Sequence, residues 1–100
     1  MDKGEAIAKV KQYSNLLKQH MQFDKIYLFG SFAKETNRDD SDIDVAILVN
    51  KLDGDFFSIH PLLWKLRRQI DDRIEPIIIE KDFDDADFYK EIQNHGIQIL

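Results

Sequence analysis

The stretch that most constrains this chain is Ser41-Asp42-Ile43-Asp44-Val45-Ala46-Ile47-Leu48-Val49-Asn50. Val45 to Val49 is an unbroken β-prone apolar run, the pattern of a strand covered on both faces. The spacing predicts a strand over 42–50. Residues two apart in a strand project from the same face, roughly 6.6 Å apart along the chain. Asp42 and Asp44 then stand together at the mouth of a buried strand. Two bare carboxylates there repel each other, and a bound cation relieves the repulsion. Magnesium takes oxygen ligands and keeps waters, so one or two carboxylates plus substrate phosphates suffice to hold it. Taken alone, Asp-x-Asp fits a solvated strand start better than a metal site.

A strand covered on both faces needs further layers, and the rest of the chain supplies them. Glu5 to Met21 carries Ile7, Val10, Leu17 and Met21 at helical spacing, with Tyr13 and Leu16 beside them. Lys25 to Phe29 reads as a short buried strand ending at Gly30, and Ser31 is placed to cap a helical turn through Lys34. Thr36 to Ser41 is a polar loop, and Asp53-Gly54-Asp55 is a turn. Phe56 to Asp72 is a second helical segment, with Pro61 expected near its true start. Arg73 to Glu80 is a third strand. Ala86 to His95 is a last helix stopped by Gly96 at a C′ position, and Ile97 to Leu100 is a candidate final strand. This order predicts the α/β (α+β) class: a small mixed sheet of three to four strands with helices packed on it. Strand directions stay open. The 100 residues are expected to form a single domain, 1–100.

Composition narrows the chemistry. A net charge of −5 disfavours direct nucleic-acid binding, which needs clustered Lys and Arg. It suits a cationic protein partner or a metal-bridged ligand better. The absence of cysteine removes disulfides, thiolate zinc sites and cysteine nucleophiles together. The first residues are too polar for a signal peptide, and no apolar run approaches membrane-spanning length, so a soluble cytoplasmic protein is expected.

Gly30-Ser31 is the second candidate feature. Glycine lets an anion approach the backbone, a helical turn starting at Ser31 aims N–H groups at it, and the serine hydroxyl adds a donor. An ordinary strand-to-helix turn with a capping serine explains the same residues. Lys34 and Arg38 are candidate phosphate contacts or solvated loop charges. Asp40-x-Asp42-x-Asp44 imitates an EF-hand start, but Val45 replaces the required glycine and Lys51 the closing glutamate. There is no Walker loop and no Gly-x-Gly-x-x-Gly. His20, His60 and His95 lack zinc spacing, and Trp64 and the phenylalanines read as core.

Joined, Leu28-Phe29-Gly30-Ser31-Phe32-Ala33-Lys34 and Ser41-Asp42-Ile43-Asp44-Val45 closely resemble the motif of the DNA polymerase β-like nucleotidyltransferases: Gly-Ser at a strand end, about ten residues, then Asp-x-Asp on the next strand. The likeness extends over nearly the whole chain and fits the smallest branch, the minimal nucleotidyltransferases (MNT). The resemblance implies a polymerase β-like core, with Gly30, Ser31, Lys34 and Arg38 on the nucleotide and Asp42 and Asp44 holding two Mg2+ ions. It also implies a third acid that shares an ion and helps activate the acceptor hydroxyl. Glu75, opening the Glu75-Pro76-Ile77-Ile78-Ile79 strand, is the candidate, with Asp72 and Glu80 behind it. The implied reaction moves a nucleoside monophosphate, AMP from ATP, to a hydroxyl. Larger members of the superfamily have extra domains that grip the base and the acceptor, and none is expected in 100 residues, so a second protein or a second copy of the chain is expected to complete the site. In the family that second protein is typically a HEPN toxin, neutralised by an MNT antitoxin. The alternatives are an antitoxin that binds nucleotide and partner without turnover, and a catalytic subunit that modifies a small molecule. Two residues depart from the pattern: Glu35 stands where a second glycine is common, and Glu75 where aspartate is usual.

Overall fold

The computed structural model describes residues 1–50, 56–81 and 87–100, with the backbone alone for 56–58. Its elements are α1 (Lys3–Leu17), β1 (Lys25–Phe29), α2 (Ser31–Lys34), β2 (Ile43–Val49), α3 (Phe56–Arg67), β3 (Ile74–Glu80), α4 (Phe88–His95) and β4 (Ile97–Gln98). The apolar run of β2 takes an interior place in a sheet of order β3-β2-β1-β4. β1 runs antiparallel to β2 and to β4, and β3 runs parallel to β2. The parallel pair needs a crossover, which α3 supplies.

Strand alternation sorts the side chains into two layers. Ile26, Leu28, Ile43, Val45, Ile47 and Ile74 face α1 and α3 in the main core, with Val10, Tyr13, Leu17, Leu63 and Leu66. Tyr27, Ala46, Leu48 and Ile79 face the other way, where Ile92 of α4 packs on them. β2 therefore lies under both layers, as its unbroken apolar run demands. The Tyr13 hydroxyl donates to the Leu63 carbonyl at 2.9 Å and ties α1 to α3 inside the core. Burial pushes the Tyr13 phenol well above its ordinary range. Lys9 of α1 pairs with Asp71 at 3.0 Å, and Arg73 grips the same carboxylate through Nε at 3.1 Å and Nη2 at 3.0 Å. That network fixes the entry to β3 against α1.

Several element ends differ from the sequence reading. α1 closes at Leu17, not Met21, because the chain must reverse toward β1. Residues 18–20 tighten into i→i+3 bonds, Gln19 N–H to Leu16 and His20 N–H to Leu17. α3 likewise gives way to turns after Arg67 instead of reaching Asp72. Pro61 lies inside α3, not near its start. It is exposed while Leu63 and Leu66 anchor the buried face, so the helix keeps its register. Gly96 caps α4 in extended backbone (φ −89°), not in the left-handed form. Glycine is needed there for space: a Cβ would meet the Ile92 carbonyl at 2.6 Å and the Leu28 carbonyl at 3.1 Å. The expected turn at Asp53-Gly54-Asp55 and the helix start at Ala86 lie outside the described residues. Among those described, no helix is long and apolar enough to cross a membrane.

Candidate active site

β1 ends at Phe29, which pairs directly with Asp44 of β2. The next residue, Gly30, has φ +73° and ψ −148°, backbone that is essentially reserved for glycine. A Cβ on Gly30 would lie 2.2 Å from the Asp44 Oδ2. The space that glycine leaves open is therefore filled by the Asp44 carboxylate, and the turn and the acid are built as one piece. Gly30 itself is the N-cap of α2, and no side chain caps that helix. Ser31 is thus the first helical residue and not the cap that its sequence position suggested.

Across the sheet, the parallel register sets Glu75 directly opposite Asp44. The alternation that turns Ile77 and Ile79 toward α4 puts Glu75 on the same face as Asp44 and Phe29. Asp42 sits just before β2, exposed, two residues from Asp44. Burial, and then the charge of Asp42, push the Asp44 carboxyl above its ordinary value. Glu75 is also pushed up, by burial first, then by Asp42, with which it is in hydrogen-bonding reach, and by Asp44. Three acids thus crowd one strand end at an electrostatic cost. Among the described residues, no three acidic or histidine side chains are already closed around a common point as a metal cage. The donor chemistry nonetheless suits a hard cation: every group is a carboxylate oxygen, and their mutual repulsion falls when a cation enters.

The fallback acids fall elsewhere. Glu80 pairs with Val49 at the far end of β3, roughly 17 Å along the strand from Glu75. Asp72 is exposed in the turn before β3, where its carbonyl accepts from Arg67 Nη1. Lys34 lines a cavity with Gly30, whereas Arg38 is exposed in a turn closed by its own N–H to Ser41 Oγ at 2.7 Å. His20 is exposed after α1, His60 lies beside Trp64 with ring centroids 6.3 Å apart, and His95 ends α4. Glu35 occupies left-handed backbone (φ +59°), which accounts for a glycine being common at this point. Its side chain is 70% exposed and pairs with Lys3 at 3.6 Å.

Sequence reasoning missed Arg67. Its Nη1 also donates to the Ile74 carbonyl at 3.0 Å, its guanidinium lies 4.4 Å over the Trp64 ring, and its charge draws the Glu75 carboxyl downward against the larger upward pushes. Its one sequence signal was its place in the last turn of α3, just before the turn into β3.

Residues 11–100 match the family model described as "Polymerase beta, Nucleotidyltransferase". The chain belongs to this family. A Methanocaldococcus jannaschii protein, provisionally named a protein adenylyltransferase, is 31% identical over 91 residues, covering 89% of each chain. The fold is similar to a crystal structure of a provisionally assigned nucleotidyltransferase from Sulfolobus solfataricus. That likeness has a TM-score of 0.69 at 15% identity and covers 96% of this chain and 80% of the other. The chain is accordingly a nucleotidyltransferase with a polymerase β-like core. Enzymes of this superfamily generally use divalent metals.

Proposed function

We propose that this nucleotidyltransferase transfers AMP from ATP to a hydroxyl on a partner protein, a HEPN-type toxin that it thereby neutralises as an antitoxin. The observation that carries the chemistry is the row Asp42, Asp44 and Glu75 at one strand end, with the Gly30 turn seated against Asp44. Protein as acceptor is supported by the name of the Methanocaldococcus relative. The toxin partner is supported by the resemblance to the MNT branch, and the net charge of −5 suits a cationic partner.

Asp42, Asp44 and Glu75 would hold magnesium, which supplies charge stabilisation at the reacting phosphate when bound. Backbone N–H groups at Gly30 and Ser31, with Lys34 beside them, hold the terminal phosphates. Arg38 is a further phosphate contact in this reading. Glu75 takes the proton of the acceptor hydroxyl; burial and the neighbouring Asp42 and Asp44 raise its carboxyl above the ordinary value, which makes its carboxylate a stronger base than an ordinary glutamate. The acceptor oxygen forms its bond to the α-phosphorus, the bond from that phosphorus to the bridging oxygen breaks, and pyrophosphate leaves with the electron pair.

A second reading, nucleotide binding and partner blockade without turnover, is favoured by the two departures from the family pattern, Glu35 in place of glycine and Glu75 in place of aspartate. One experiment separates the two. The protein is incubated with α-labelled ATP, Mg2+ and its partner, beside Asp42→Asn/Asp44→Asn. Transfer predicts label on the partner that disappears in the variant. No label with the wild type, with both forms still neutralising, establishes the second reading instead.

A further inference from the structure

The face of the sheet that carries the carboxylates also carries a cavity of about 160 Å³ between β1, α2 and α4. Its apolar lining includes Phe29, Phe88 and Ile92, and its polar lining includes Lys34 and Glu91. The cavity adjoins the acidic row at the end of β1. Gly30 lines it while lying against Asp44, and Phe29 is the direct cross-strand neighbour of Asp44 on the same face. A ligand with its charged end at Gly30 and Asp44 therefore has an aromatic surface next to it for its uncharged end.

The two aromatic rings differ in role. Phe29 is half-buried in the layer under α4, and Phe88 meets it edge-on, centroids 5.6 Å apart at 88°. Phe88 is the one large hydrophobic residue that stays exposed among those described, at 37%. A phenyl exposed on a surface needs no explanation, but one that lines a cavity beside a phosphate-binding turn matches a stacking surface. Lys34 adds a point charge suited to a phosphate, and Glu91 an acceptor suited to an exocyclic amine.

We propose that this cavity receives the nucleobase of the nucleoside triphosphate, with Phe88 as the ring against which it stacks. The proposal rests on the nucleotide reading above and adds where the uncharged end of the nucleotide lies. Stacking of a base on an aromatic side chain corresponds to about 5- to 100-fold in affinity.

Calorimetric binding of Mg·ATP and of Mg·tripolyphosphate to the wild type, Phe88→Ala and Phe88→Tyr tests it. The expected result has three parts. The wild type binds ATP more tightly than tripolyphosphate. Phe88→Ala weakens ATP about 5- to 100-fold with tripolyphosphate unchanged. Phe88→Tyr, which keeps a ring, stays within about 2-fold of wild type for both ligands. Equal ATP affinity in wild type and Phe88→Ala overturns the proposal, as does equal weakening of both ligands. Should Phe88→Ala not fold, a wild type that binds ATP no better than tripolyphosphate overturns it alone, while leaving the phosphate site intact. A wild type that binds neither ligand removes the nucleotide reading itself, and this proposal with it.

Discussion

At Gly30 one residue carries two constraints that are usually separate. Its φ of +73° excludes a Cβ on conformational grounds, and the Asp44 carboxylate excludes one on steric grounds, at 2.2 Å. Gly30→Ala must therefore displace the turn or the acid. It is expected to lower stability by about 1–3 kcal/mol in urea unfolding and to abolish Mg·ATP binding even where the domain still folds. Glu35 is the opposite case, a side chain held in left-handed backbone and paired with Lys3 at the surface. Glu35→Gly is expected to raise stability by about 0.5–1 kcal/mol in the same assay. Both glycine positions could be noticed in the sequence, since Gly30 and the Glu35 departure belong to one local motif. Their physical reasons were not legible, because neither φ nor the approach of Asp44 is written in neighbouring residues.

The β2–β3 pair and the helix between them decide whether the motif becomes a site. Asp42 and Asp44 lie two positions apart and were legible from the sequence. Glu75 joins them only because β3 runs parallel to β2 in the register that sets it against Asp44, a contact 31 positions long that no local pattern encodes. Arg67 was hidden for another reason: it binds the Asp72 and Ile74 carbonyls, five and seven positions on, and these contacts form only once the turn into β3 has folded back on α3. The acidic row has a thermodynamic signature. Asp44 and Glu75 have native pKa values above their unfolded ones, so the native state binds protons more readily. Their contribution is fully present below the unfolded pKa and is lost as pH rises through the raised native value. Without divalent ions, Asp44→Asn should thus melt above the wild type at pH 7, and the gap should close as the pH falls below the carboxylate range. Asp71 behaves in the reverse sense. The Arg73 guanidinium, then Lys9, hold its carboxyl well below the usual range. The stability it confers is present above the unfolded pKa and is lost as pH falls toward the depressed native value. Asp71→Asn should lower the melting temperature by about 4 °C at pH 7, an effect kept small by the partly exposed partners, and by less in acid.

As a whole the molecule has a Cα radius of gyration of 12.8 Å, close to the roughly 13 Å of a packed 100-residue domain. It is built asymmetrically: α1 and α3 bury one face of the sheet, while on the other α4 packs on Tyr27 and Leu48 and the carboxylate end carries the proposed site. The α/β class, the strand positions and the family follow from hydrophobic period and one motif. The mixed strand order, the division of the helices between two faces and the cavity under α4 come from tertiary contacts alone. The Asp-x-Asp pair and the Gly30 turn converge on a single strand end, and in the proposed reading this convergence makes nucleotide and metal one binding event. Calorimetry of ATP binding, with and without Mg2+, in wild type and Asp44→Asn tests that most directly. The account predicts that wild-type binding depends on Mg2+ and that Asp44→Asn weakens it by about tenfold or more. ATP bound equally well without Mg2+, or equally well by Asp44→Asn, would contradict it.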